Sequence, residues 1–256
     1  MKRLSGSILN LLRVPCVMVL AIGMAACGPR PPPQEINDPA ERMNRMTHDL
    51  NKALDMAAVR PGSTAYGTIA PGPVRRGISN VADVLRLPGI VANDLLQANF
   101  EDATTNTLRL GVNLTLGIGG LFDFASAVGM PKKTNDFGQT LAVWGVGEGP
   151  YVELPLFGPS TLRDTVGLAV DLAFDPVYRA VRPAHQKWVI GAQVLSRMND
   201  RYRYSDVIDA ILYESEDSYA QERLLYLQNR RFTLGQTGES GSDSDFIDPY
   251  EEIDGE

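Results

Sequence analysis

A chain of 256 residues holds material for one sizeable domain or two small ones, and a hydrophobic content of 44% is ordinary for a packed core. The formal charge of −7 is unevenly spread. The first 26 residues carry Lys2, Arg3 and Arg13 and no acid, and the last 19, from Gly238, carry eight acids and no base, which leaves the body nearly neutral at −2. No basic patch interleaved with aromatics occurs, so nucleic acid is not expected as a partner.

Residues 1–26 combine a basic start with an apolar run from Val14 to Ala26 and small residues before Cys27. The run is too short for a comfortable membrane span and reads as a secretory signal. Met24-Ala25-Ala26-Cys27-Gly28 is similar to a lipobox, in which the cysteine becomes the acylated first residue of the mature chain; the alternative is plain cleavage after Ala26. Cys16 would leave with the signal, so the mature chain keeps one cysteine and forms no internal disulfide. The stretch 27–37 is then a proline-rich tether.

Asp38-Pro39-Ala40-Glu41 has the form of a capping box, with Asp38 as N-cap. Met43, Met46, Leu50, Leu54 and Ala57 follow at helical spacing, predicting an amphipathic helix that stops at Arg60-Pro61. His48 falls on its polar side and is expected to be solvated, with no metal role. Pro73 to Leu87 repeats the design with Val74, Ile78, Val81 and Leu85, Pro88-Gly89 breaks it, and Ile90 to Ala98 makes a shorter helix. From Thr104 to Ile118 apolar and polar residues alternate, which on period alone spells a strand. Later segments, Ala184 to Asn199, Ser205 to Tyr213 and Asp217 to Phe232, read as helices, and the acidic stretch 235–256 as a disordered tail.

Between them lies Asp136 to Asp164, where Gly145, Gly147, Gly149, Pro150, Pro155, Gly158 and Pro159 are interleaved with Trp144, Tyr151, Leu154, Leu156 and Phe157. Such a mixture predicts a defined, partly apolar loop or hairpin flanked by helices. Gly117-Ile-Gly119-Gly120-Leu-Phe122 lacks the last glycine of a dinucleotide fingerprint, and Gly145-Val-Gly147-Glu-Gly149 lacks the Lys-Ser/Thr of a phosphate loop, so no cofactor is expected. Ser160 or Ser126 could serve as a nucleophile only with a base and an orienting group that no motif supplies, and the chain does not read as an enzyme.

The runs Phe137-Gly-Gln-Thr-Leu141, Trp144-Gly-Val-Gly-Glu-Gly-Pro-Tyr151 and Leu154-Pro-Leu-Phe-Gly-Pro-Ser-Thr-Leu-Arg-Asp164 closely resemble the MlaA (VacJ) lipoproteins of the Gram-negative outer membrane. Asn37-Asp38-Pro39 with Asn44-Arg45, Pro73 to Asn80, Leu116 to Asp123 and Lys187-Trp188 extend the resemblance over about 37–232. Met43 and Lys52 depart from it where the family prefers aromatics. The resemblance decides the 104–118 segment in favour of a helix. It implies an all-α domain over 38–234, a ring of amphipathic helices lying in the inner leaflet around a central channel, with a Gly/Pro-rich hairpin. It also implies lipid attachment at Cys27, a channel-lining role for Lys187, and a hairpin shaped by Gly145, Gly147, Gly149 and Pro150. The implied partners are phospholipids, porin trimers and a soluble periplasmic carrier of the MlaC type. The implied function is removal of misplaced outer-leaflet phospholipid; the alternative is a lipoprotein that scaffolds porins without moving lipid.

Overall fold

The computed structural model describes residues 36–235. The signal, Cys27, most of the tether and all but the first residue of the acidic tail therefore lie outside the described residues. Eleven α-helices, two π-helical segments and one small hairpin make up the rest. In order they are α1 (Glu41–Leu54), a π segment (Asp55–Val59), α2 (Arg60–Ile69), α3 (Gly72–Leu96), α4 (Phe100–Thr115), α5 (Phe124–Ala127) and α6 (Phe137–Val143). There follow β1 (Tyr151–Leu154), β2 (Gly158–Thr161), α7 (Leu162–Phe174), α8 (Pro176–Ala180), α9 (Pro183–Arg203), α10 (Ser205–Asp209), a second π segment (Ala210–Glu214) and α11 (Ser218–Thr233).

Two expected breaks are absent. The first helix does not stop at Arg60-Pro61; helical backbone continues from α1 through the π segment into α2. Proline has no amide to give, and the wider π turn, in which the Arg60 amide reaches Asp55 five residues back, absorbs the misfit. Nor do Pro88 and Gly89 interrupt α3, which runs unbroken to Leu96 with Pro88 inside it. Asp38 is no N-cap either: α1 starts after Ala40 without a side-chain cap. Its carboxylate instead accepts from Asn44 (2.8 Å), from Arg223 (2.5 Å) and from the Tyr219 hydroxyl. The 100–115 segment is helical as expected, with Asn99 capping it through the Asp102 amide.

The long helix α3 is the hub, packing against α4 on one side and α9 on the other. The two ends of the described chain meet. Arg45 of α1 forms a two-pronged pair with Asp217 at the start of α11 (2.9 and 3.0 Å), beside the Asp38–Arg223 pair. The hairpin lies between these two helices, with Tyr151 opposite Thr161 and Leu154 opposite Gly158. Its turn places Leu156 at φ 68° and Gly158 at φ 79°. A small core of Tyr151, Tyr219 and Leu227 fastens it to α11.

The partition of side chains is inverted. Nine hydrophobic residues are buried among the described residues, against sixteen polar or charged ones, while thirty-three large hydrophobic residues are exposed. In α1 the apolar stripe of Met43, Met46 and Leu50 faces outward and Asn44 and His48 face in. In α4 Leu108 and Leu114 face outward and Asn106, Arg109 and Asn113, spaced three and four apart, are buried. The alternation that imitates a strand arises because the inward stripe of this helix is polar.

Candidate functional site

The hairpin is docked on α1 by two asparagines seven residues apart, two turns of helix. Asn44 donates to the Tyr151 carbonyl (3.1 Å) and accepts from the Glu153 amide (3.1 Å). Asn51 donates to the Leu154 carbonyl (2.9 Å) and accepts from the Leu156 amide (2.8 Å). Two side-chain amides thus satisfy the free edge of β1 where a third strand would otherwise be needed.

Beneath β1, His48, Glu153 and Glu222 converge, their ligand atoms all within 4.8 Å of one another. His48 is buried rather than solvated, because α1 turns this face toward α11: its Nδ1 lies 2.9 Å from Glu222 and its Nε2 2.9 Å from Ser218 Oγ. Glu153 accepts from Asn51 (3.2 Å) and from the Tyr151 hydroxyl. Burial disfavours the charged imidazole, but the hydrogen bond to Glu222 and the surrounding carboxylates win, and its pKa lies above the ordinary value. Burial pushes the Glu153 carboxyl up, against the pull of Tyr151. Spacing along α1 reveals none of this, since the partners come from distant elements. The set has the composition of a metal site, and its members are also joined by protein contacts, His48 to Glu222 and Ser218 and Glu153 to Asn51 and Tyr151.

On the other side of the hairpin Arg230 of α11 grips two carboxylates. It reaches Asp136, the N-cap of α6, at 2.7 and 2.8 Å and Asp164 in the first turn of α7 at 2.9 and 3.0 Å. Burial alone would raise Asp164, but Arg230 and then Arg163 hold it down at about 2. Helices α6 and α7 cross so closely here that a Cβ on Gly167 would lie 2.3 Å from the Gly138 nitrogen.

The inner wall beyond is a chain of paired polar groups. Asp94 accepts from Asn106 (2.8 Å) and Asn135 (2.6 Å), Thr140 donates to Asn93 (2.9 Å), and Asn93 donates to Asp171 (3.1 Å). Arg109, nearly fully buried, pairs with Asp123 (3.0 Å) and donates to the Met130 carbonyl (2.5 Å). Next to them opens a cleft of about 100 Å³ lined by Asp83, Arg86, Lys132, Lys133 and Asp123 among others.

The residues singled out in the sequence do not form one cluster. Gly145, Gly147, Gly149 and Pro150 form the loop that enters β1, and the hairpin turn itself is made by Pro155, Leu156 and Phe157. Gly145 and Gly149 adopt positive φ (87° and 70°), while Gly147 has open space around it. Lys187 is exposed near the start of α9, its Nζ 5.3 Å from the Trp188 ring centroid. Cys27 lies outside the described residues.

Outside runs the apolar surface: Phe100, Leu116, Ile118, Phe122, Trp144, Leu156, Phe174 and Trp188 are all more than half exposed. Monomers in water rarely leave such an area uncovered. No described helix is long and apolar enough to cross a membrane. The pattern of the MlaA lipoprotein family matches residues 36–233. The chain belongs to that family. The chain is 34% identical over 218 residues to the intermembrane phospholipid transport system lipoprotein MlaA of Escherichia coli (strain K12), which covers 83% of this chain and 84% of that one. It is 26% identical over 223 residues to the protein of that name in Haemophilus influenzae, at 85% and 88% coverage. An uncharacterized protein of Rickettsia felis is 34% identical over 190 residues, 74% of each chain. Among solved structures, one described as "Structural basis for maintenance of bacterial outer membrane lipid asymmetry" superposes with a TM-score of 0.65 at 30% identity, covering 77% of this chain and 98% of that one.

Proposed function

We propose that this chain removes phospholipids misplaced in the outer leaflet of the outer membrane and passes them to a soluble periplasmic carrier of the MlaC type. The observation that carries this reading is the inverted partition: exposed apolar side chains outside, buried polar ones inside. Burying an exposed Leu or Phe is worth roughly 1.5–3 kcal/mol, so a belt of this size is stable against lipid and costly against water. Lying in the inner leaflet as a ring, anchored by acyl chains on Cys27 and set beside porin trimers, the chain would offer a head group a polar way through the membrane. The acyl tails stay against apolar walls meanwhile, because a charged head in hydrocarbon is expensive. Movement toward an empty carrier is downhill and needs neither a nucleotide nor covalent chemistry. In this reading Lys187, exposed on α9, is the cation assigned to meet the phosphate, and Gly145, Gly147, Gly149 and Pro150 are assigned as the loop that lets the hairpin shift.

The test is outer-leaflet phospholipid in cells lacking the chain, complemented by wild type or by Cys27→Ala. Surface phospholipid should accumulate without the protein and clear only with the lipidated form. Unchanged asymmetry in the deletion strain would remove the transport role and leave a porin scaffold as the better account.

A further inference from the structure

Around the hairpin, carboxylates are neutralised by guanidinium groups: Asp38 by Arg223, Asp164 by Arg230 and Glu148 by Arg231. Glu153 and Glu222 are not. Among the described residues neither pairs with a lysine or an arginine, and the basic side chain that converges with both is His48. His48 and Glu153 are 2% and 4% exposed, while Glu222 keeps 26% of its side chain open to solvent. Two carboxylates gathered in so dry a place repel each other, and a cation between them relieves the repulsion.

The three side chains come from α1, β1 and α11, and each is held from outside the cluster. Asn44 and Asn51 fix β1 on α1, and the Glu153 carboxylate accepts from Asn51 on one oxygen (3.2 Å) and from the Tyr151 hydroxyl on the other. Each of those oxygens retains a lone pair. Ser218 Oγ, 2.9 Å from His48 Nε2, can accept the Nε2 proton, which leaves Nδ1 facing Glu222 as a ligand atom. Partners that orient the ligands in this way are the outer contacts a metal site needs.

We propose that His48 Nδ1, Glu153 and Glu222 bind one zinc ion, with water entering beside Glu222 as the fourth ligand. One imidazole and two carboxylates match the nitrogen and oxygen ligands of tetrahedral zinc, whereas calcium and magnesium seek six or more oxygens. The ligand atoms already lie within 4.8 Å of one another, and a tetrahedral shell at about 2.0–2.1 Å sets them about 3.3 Å apart, so a shift of about 1.5 Å closes the site. The ion takes the place of the Nδ1 proton, which leaves to solvent, and its two positive charges match the two carboxylates. Zinc would tie the hairpin to the two helices at which the ends of the described chain meet. The site goes beyond the lipid-removal reading and does not depend on it.

The experiment uses the full chain purified in detergent, stripped with a chelator and titrated by calorimetry with zinc, calcium or magnesium chloride, with Tm followed in parallel. Wild type should bind one zinc ion and gain in Tm, because an ion held only by the folded chain stabilises it; calcium and magnesium should do neither. Glu222→Gln preserves size at a partly exposed position, so this variant should keep the wild-type circular dichroism and lose the zinc-dependent gain in Tm. Ser218→Ala removes an outer contact and no ligand and should weaken zinc about tenfold, and Glu222→Gln and His48→Gln should each weaken it further. A wild-type chain that takes up no zinc overturns the site. So does a folded Glu222→Gln chain that binds zinc as wild type does, since the ion would then sit elsewhere, on the acidic tail or at His185. Calcium binding as tight as zinc overturns the assignment and marks a plain oxygen site.

Discussion

Replacing Arg230 by methionine should unlatch the hairpin from the helices that flank it. The side chain is 14% exposed and holds Asp164, 8% exposed, and Asp136, 40% exposed, through four hydrogen bonds of 2.7–3.0 Å. Removing one partner of a buried pair costs about 3–5 kcal/mol, and the low end applies because Arg163 (3.0 Å) and the Tyr226 hydroxyl (2.8 Å) remain on Asp164. The acid limb supplies a second handle. The folded Asp164 carboxyl is depressed from 3.8 to about 2, so the stability it contributes is full above pH 3.8 and is lost as pH falls toward 2. At about 1.4 kcal/mol per pH unit this amounts to roughly 2 kcal/mol. Urea unfolding of the detergent-solubilised protein should show Arg230→Met about 3 kcal/mol less stable at neutral pH, with a shallower loss below pH 3.8. Arg230→Lys should fall between, since an ammonium cannot fork to both carboxylates. A variant within about 1 kcal/mol of wild type, or one that keeps the full acid loss, would refute the latch.

Three further outcomes test other joints of the structure. Gly167→Ala drives a methyl to 2.3 Å from backbone and should cost about 3 kcal/mol or more, read as a fall in Tm; an unchanged Tm would deny the close crossing of α6 and α7. His48 has a raised folded pKa, so its contribution is whole below pH 6.5 and fades as pH rises through the elevated value; Glu153, raised from 4.5, adds a loss of the same sign at lower pH. His48→Gln should flatten the decline above pH 6.5, and a wild-type slope in that variant would place the titrating group elsewhere. Gly147→Val, in open space, should leave folding and membrane localisation intact while slowing clearance of surface phospholipid; normal clearance would argue against movement of the loop that enters β1.

How much of this was legible depended on how far apart the partners lie. The helices and a hairpin within 136–164 follow from local spacing and composition, the caps at Asn99 and Asp217 appear only in the structure, and the Gly/Pro motifs carried the family resemblance. Pro61 and Pro88 misled because the rule that proline ends a helix presumes an ordinary turn before it and free choice after it. Here a π segment relieves the one, and packing of α3 against α4, α8 and α9 overrides the other. The apolar stripes were visible and their direction was not: Met43, Met46 and Leu50 follow the same period whether they face a core or a bilayer. The charge pairs could not be read at all. Arg230 and Asp136 are 94 residues apart and Arg223 and Asp38 are 185, and nothing along the chain marks one for the other.

The inversion also separates the polar residues that hold the wall from those that can serve a ligand. A buried polar group without a partner costs about 1–3 kcal/mol, so in the interior nearly every donor meets an acceptor: Asn106 with Asp94, Arg109 with Asp123, Thr140 with Asn93. These pairs are closed and cannot take up a passing phosphate without breaking. A path for head groups must therefore be lined by charges that water reaches and protein does not satisfy. Arg197 and Asp200 of α9 are exposed and make no side-chain hydrogen bond or ion pair among the described residues. An exchange of water for phosphate at such groups replaces one set of hydrogen bonds with a charge-assisted one, which favours entry, while competing water and the absence of enclosure keep the complex weak enough to release. A conduit needs both properties, and the closed pairs behind it supply the rigidity that lets the open ones stay open.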